Sequence, residues 1–253
     1  MTGLAAPLIL NADNKSGTKN PVVGTGSHTY EVIHDWGELP PTIAWGNTHG
    51  VVEDSQGQIY VHHTVNKASQ SADTMVVFDA KGKFVRSWGK EFRGVAHGLS
   101  IRKEGGTEYL YLSVNATNPR LAPQPEMSAV IIKATTKGEI VWKIVGPPDI
   151  AEYKPGADGQ PKRYNPTNLT VAPNGDIYVG DGYGSSYINQ YDAKGTYIRT
   201  FGGRGARRAN SPSPTASGWI CAGRRPSSLW PIAATLACSG SRWMANTSIS
   251  STA

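Results

Sequence analysis

Two histidines occupy matching places in this chain of 253 residues, each followed by glycine: Thr48-His49-Gly50-Val51 and Ala96-His97-Gly98-Leu99. Imidazole nitrogens are frequent ligands of zinc and other divalent ions, and residues that recur at one point of a repeated unit can be gathered by a fold around a single centre. His97 and His49 are therefore candidate metal ligands. Pro166-Thr167-Asn168-Leu169 holds the corresponding place in a third segment, with Asn168 where the others carry histidine. Shortly afterwards Asp181-Gly182-Tyr183-Gly184 presents a carboxylate and a phenol in a tight turn. Asp181 and Asn168 are candidate substrate-binding residues. Each of these residues also has a structural reading: hydrogen bonds between neighbouring units for the histidines, and a turn with a packed tyrosine for Tyr183. His62 and His63, directly after a strand, are expected to be solvated. Trp36, Trp88 and Phe201, each before a glycine, are expected to pack between units.

The elements that must position these residues recur in a constant order. A first unit spans about 48–89: Thr48 to Val52, a turn at Asp54-Ser55-Gln56-Gly57, Ile59-Tyr60-Val61, Met75 to Phe78, a turn at Asp79-Ala80-Lys81-Gly82, and Phe84 to Gly89. The second spans about 96–146, with Tyr109 to Leu112, Val130 to Ile132, the turn Thr135-Thr136-Lys137-Gly138 and Ile140 to Gly146. The third spans about 166–202, with Ile177 to Val179, Tyr187 to Tyr191, Asp192-Ala193-Lys194-Gly195 and Tyr197 to Gly202. Each unit reads as four short strands between Gly, Asp and Asn turns, and no helical period intervenes. Pro- and Gly-rich insertions lengthen the connections around 116–128 and 147–163. A four-stranded repeat of this length predicts a β-propeller built from blades. Residues 29–37, Thr29 to Gly37, read as the last strand of a further blade, placed to close a ring from the amino terminus. The expected fold class is thus all-β, a six-bladed propeller represented by about three blades within residues 28–204.

Composition changes at about Gly205. From there to Ala253 the chain contains no Asp, Glu or Lys, but both cysteines (Cys221 and Cys238) and five arginines. Those arginines account for most of the formal charge of +6, which leaves about +1 before the break and no basic face for nucleic acid. Read in another frame, the coding of 205–253 must yield Asp at the Trp219–Ile220 junction and Asp-Gly at Trp243–Ala245, and with favourable synonymous codons it gives a Pro-His-Gly segment near Pro214–Thr215. The tail is accordingly expected to be a frameshifted, non-native replacement for a fourth blade, and the chain a truncated, inactive product prone to aggregate through its exposed edge. Residues 1–27, with a short apolar run from Leu4 to Leu10 but no basic flank, are expected to be disordered rather than a signal peptide. No stretch is long enough to cross a membrane, so a soluble chain of unassigned compartment is expected.

Over about residues 29–204 the repeats resemble the NHL-repeat family of six-bladed propellers. Asn165-Pro166-Thr167-Asn168, Gly180-Asp181-Gly182-Tyr183-Gly184 and Ala96-His97-Gly98-Leu99 are similar to segments of the peptidyl-α-hydroxyglycine amidating lyases within it. The resemblance implies a zinc-dependent carbon–nitrogen lyase acting on a small hydroxylated or peptidyl substrate. His97 would match a zinc ligand and Tyr183 the catalytic tyrosine. A calcium-stabilised scaffold, or a non-catalytic propeller that binds a peptide, glycan or protein on its axial face, are the alternatives. The chain departs from the lyase pattern in having no arginine between Ala44 and Asn47, and Gly184 where the lyases carry cysteine.

Overall fold

The computed structural model describes residues 20–118, 123–155, 159, 163–203 and 247–251. Among them are fifteen strands and two short 3-10 turns, Lys90–Phe92 and Ala151–Tyr153, with no α-helix. Strands β3 (Thr48–Glu53), β4 (Ile59–His63), β5 (Met75–Phe78) and β6 (Phe84–Trp88) form the first antiparallel sheet in chain order. The second consists of β7 (Ala96–Glu104), β8 (Thr107–Val114), β9 (Val130–Thr135) and β10 (Ile140–Ile144), and the third of β11 (Asn168–Val171), β12 (Ile177–Gly180), β13 (Tyr187–Tyr191) and β14 (Tyr197–Gly202). A fourth sheet has three strands, β1 (Val22–Thr25), β2 (His28–His34) and β15 (Thr247–Ser251), with β2 in the middle.

The turns explain why each unit meanders. Asp54, Asp79 and Asp192 each accept backbone N–H groups two and four residues on, and Thr135 does the same through its hydroxyl. These side-chain-closed turns reverse the chain with little help from the rest of the protein. Gly82 and Gly195 complete two of them with φ of +82° and +84°, a region that costs a side chain but not glycine.

Burial on both faces holds the sheets in series. Along β5, Met75 and Val77 pack with Leu99, Leu110, Leu112 and Ile132 of the second sheet, while Val76 and Phe78 pack on the other side with Ile43, Trp36 and Trp45. Along β9, Val130, Ile132 and Ala134 face the first sheet and Ile131 joins Leu169, Ile177 and Val179 of the third. Each large apolar side chain so enclosed contributes roughly 2 kcal/mol. Arginines tie the sheets to each other: Arg86 donates to the Thr136 carbonyl at 2.8 Å, and Arg102 to that of Pro173 at 2.8 Å. Trp36 and Trp88 do pack between units, Trp36 on Phe78 at 5.6 Å and Trp88 against Gly138.

The all-β expectation holds, but the six-bladed NHL propeller does not. The sheets are separate, open units, and no ring closes among the described residues. The incomplete propeller of about three blades is corrected with it. Turn chemistry and strand alternation dictate pairing within a sheet, whereas closure depends on the angles between sheets, which that alternation does not encode. The Thr29 to Gly37 segment differs too. Its strand is flanked on both sides, pairing Val23 with Tyr30 and Ile249 with Val32, rather than standing as an outer strand. Strand β1 lies inside the segment expected to be disordered, and the remainder of that expectation, for residues 1–19, falls outside the described residues. The tail expected to be frameshifted, 205–253, likewise falls almost wholly outside them, only 247–251 being described.

Candidate functional site

The first strands of the three large sheets lie side by side, and the His-Gly pairs mark where they touch. A Cβ on Gly50 would stand 2.4 Å from that of Leu99, and one on Gly98 would stand 2.5 Å from Asn168 Oδ1 and 2.7 Å from the Thr167 carbonyl. No side chain fits in either gap, so glycine sets the approach of β3 to β7 and of β7 to β11. Next to each glycine the ladder breaks register. Thr48 pairs with His63 and Gly50 with His62, and Ala96 pairs with Val114 and Leu99 with Leu112, which leaves His49 and His97 in β-bulges. A bulge re-aims a side chain out of the alternating pattern. Here it brings two histidines from different sheets together.

Their rings stack with centroids 4.0 Å apart and planes 19° from parallel. His97 is buried, and its Nδ1 faces the Thr167 carbonyl, an acceptor, so that nitrogen carries the proton and donates. Its Nε2 is left with a lone pair, 3.4 Å from the Tyr183 hydroxyl, which donates to it. The Tyr183 ring meets His97 edge-on at 5.3 Å and is 53% exposed. Burial, then the neighbouring His49, hold His97 down to about 3, so it is neutral at ordinary pH. His49 is lowered as well, by desolvation. The result is a row of two neutral imidazoles and a phenol at the end of the sheets where β3, β7 and β11 begin.

Asp181 lies beneath this row, fully buried. Its carboxylate accepts from Asn165 N at 2.6 Å, Ser185 N at 2.8 Å, the Tyr153 hydroxyl at 3.0 Å and the Ser185 hydroxyl at 2.5 Å. It thereby fixes the 181–186 loop that presents Tyr183. Gly184 is required by the same packing, because a Cβ there would fall 2.1 Å from the Arg163 carbonyl and 2.2 Å from Asp181 Oδ1. Asn168 lies at the start of β11 against Gly98, its Oδ1 accepting from Leu169 N at 2.8 Å.

Sequence reasoning missed His62 and His63, expected to be solvated and in fact buried. His62 Nδ1 donates to the His97 carbonyl at 3.1 Å, while its Nε2 is enclosed without a partner. His63 Nε2 donates to the Asp73 carbonyl at 3.1 Å, and its Nδ1 accepts from Gly46 N at 3.2 Å and Val65 N at 3.3 Å. Both sit at the end of β4, where neighbouring elements cover both faces. Burial lowers His62 to about 3 and His63 to about 4.

The zinc-dependent lyase is corrected by this geometry. No group of three or more His, Cys, Asp or Glu side chains is placed to hold a metal ion among the described residues. A catalytic zinc takes three protein ligands, and the row supplies two imidazoles. Their near-parallel planes also direct the ring nitrogens side by side rather than at one point. The Asp181 carboxylate is taken up by its own loop. Among the described residues the row therefore does not assemble the three-ligand zinc site that the lyase would need.

No protein-family model matches the chain. Among solved structures it is similar to a 1.35 Å crystal structure of a protein of unknown function from Bacteroides caccae, with 13% identity and a TM-score of 0.37 over 73% of this chain. The chain spans 58% of that structure's length. Among the described residues no helix is long and apolar enough to cross a membrane.

Proposed function

We propose that the chain is a binding module whose row of His49, His97 and Tyr183, flanked by Asn168, takes up a short peptide. The observation that carries this reading is the pair of bulges that leave two histidines from separate sheets stacked, with His97 against an exposed tyrosine. The Nε2 lone pair of neutral His97 accepts from the Tyr183 hydroxyl and so orients the phenol, whose oxygen is left as an acceptor suited to a peptide N–H. The Tyr183 ring offers a rigid aromatic surface with a polar tip, the type of side chain that anchors ligands at low entropic cost. A site of neutral imidazoles does not select by charge, so uncharged backbone is a better match than an anion. Asp181 serves it by holding the loop.

The test is a titration of the full chain with N-acetylated, C-amidated tripeptides, followed by 1H–15N NMR. Saturable shifts are expected at His97, Gly98 and Tyr183, with affinity falling about fivefold or more in Tyr183→Ala, the order expected for an aromatic anchor. Shifts spread evenly over the surface, or unchanged affinity in Tyr183→Ala, would sink the reading.

A further inference from the structure

The hairpin turn between β11 and β12 is closed differently from the turns it resembles. At 54–57, 79–82, 135–138, 192–195 and 172–175 a glycine N–H donates to the carbonyl three residues back. The first four of these turns begin with Asp54, Asp79, Thr135 and Asp192, whose side chains accept further backbone N–H groups. Ala172 opens the last and has no such group to offer. Two other residues stand in for it. Asn174 Oδ1 accepts from Asp176 N at 3.1 Å. Arg102 reaches over from the second sheet, donating to the Ala172 carbonyl through Nη1 and to the Pro173 carbonyl through Nη2 at 2.8 Å. The Ala172 carbonyl thus holds both the guanidinium and the Gly175 N–H, the latter at 2.9 Å.

Asn174-Gly175 is also the single Asn-Gly pair in the sequence. Such a pair is chemically reactive, because a glycine leaves its backbone nitrogen free to reach the carbonyl carbon of the preceding asparagine side chain. The turn does not require that asparagine, since Gln56, Lys81, Lys137 and Lys194 hold the corresponding place in the others. It does require the glycine. Gly175 has φ of +94°, and a Cβ there would stand 2.9 Å from that of Ala193. Asn174 is exposed, so water and hydroxide reach it. The restraint on reaction is the closed turn itself, in which the attacking nitrogen is engaged by a carbonyl that Arg102 fixes. Attack requires the turn to open, and its rate follows the open population.

We propose that Asn174 modifies itself through a cyclic imide, and that Arg102 holds this conversion in check. Gly175 N gives its proton to hydroxide and bonds to Asn174 Cγ, the Cγ–Nδ2 bond breaks, and ammonia leaves. Water then opens the imide at either carbonyl, producing aspartate or an isoaspartate whose main chain runs through Cγ. The sum is an amide and water giving a carboxylate and ammonium, with no change of oxidation state.

The test incubates the full chain at mildly alkaline pH and digests it with trypsin. Peptide Tyr164–Lys194 carries Asn165, Asn168, Asn174 and Asn189. Exchange of NH2 for OH, located by fragment masses, is expected at Asn174 ahead of the other three, with isoaspartate there detected by enzymatic methylation. Asn174→Gln should remove it from that position. Arg102→Gln, which takes a charged donor from both carbonyls, should speed conversion about tenfold. Arg86→Gln deletes the other inter-sheet bond, to Thr136, and touches nothing in this turn. It should leave the rate unchanged, which separates release of the turn from a general loosening of the sheets. No conversion at Asn174, earlier conversion at another asparagine of the peptide, an unaltered rate in Arg102→Gln, or equal acceleration in Arg86→Gln would overturn the proposal.

Discussion

Acidification from pH 7 to pH 5 should unfold this protein or bring it close to unfolding, because three buried imidazoles cannot accept protons without breaking what holds them. His63 Nδ1 accepts two backbone N–H groups, His62 Nε2 is enclosed with no acceptor near it, and His97 Nε2 accepts from Tyr183. Their native values lie at about 3, 4 and 3 for His62, His63 and His97, against 6.5 when unfolded. A depressed native value means that the unfolded chain binds more protons below pH 6.5, so stability is complete above that value and is lost as pH falls toward 4 and 3. Between pH 7 and 5 each group costs about 1.9 kcal/mol, and the three together about 5 to 6 kcal/mol. Whole domains are stable by only about 5–15 kcal/mol. Urea titrations at pH 7, 6 and 5 measure the effect, with the midpoint falling while the slope with denaturant stays constant. His62→Gln keeps an amide donor for the His97 carbonyl but does not titrate, so it should reduce the pH-dependent loss by about a third. Equal midpoints at pH 5 and pH 7, or an unaltered pH dependence in His62→Gln, would refute the reasoning.

Two further substitutions probe the geometry of the site. Gly98→Ala inserts a Cβ 2.5 Å from Asn168 Oδ1 and 2.7 Å from the Thr167 carbonyl. It should destabilise by about 1–3 kcal/mol as β7 and β11 are forced apart, and a thermal melt within experimental error of wild type would contradict the close-approach role. Asp181→Ala strands the Asn165 and Ser185 N–H groups and the Tyr153 hydroxyl. A loss of about 3 kcal/mol or more in chemical denaturation is expected. Fast hydrogen exchange at Ser185 N should accompany it, and continued protection there would show that the loop does not depend on the carboxylate.

The repeat was legible because its signals are local. Met75–Phe78, Tyr187–Tyr191 and Tyr197–Gly202 are strands with the bounds that alternation and the Asp-Ala-Lys-Gly turns suggest. His49 and His97 were legible as partners because each precedes a glycine at the same point of its unit. What stayed hidden depends on the neighbours of a strand rather than on the strand itself. A polar residue at the end of a strand reads as solvent-facing, yet His62 and His63 are covered because β4 has packing on both faces. The bulges at His49 and His97 were likewise invisible, since register is a property of two strands and the sequence displays one at a time.

The same distinction separates the sheets from their arrangement. Four strands and three turns can be read from a unit because each residue's preference is met by its immediate partners. The relation between units is decided by a few contacts of very short range, Gly50 on Leu99 and Gly98 on Asn168, together with the arginine bonds of Arg86 and Arg102. None of these has a periodic signature. Repetition in the sequence therefore established the building block and overreached when extended to a closed ring and a shared metal centre. The contacts that fix the spacing of the sheets are also those that set His97 against His49, Thr167 and Tyr183. Inter-sheet packing and the candidate site are thus one set of interactions, and a substitution that alters the spacing must alter the site with it.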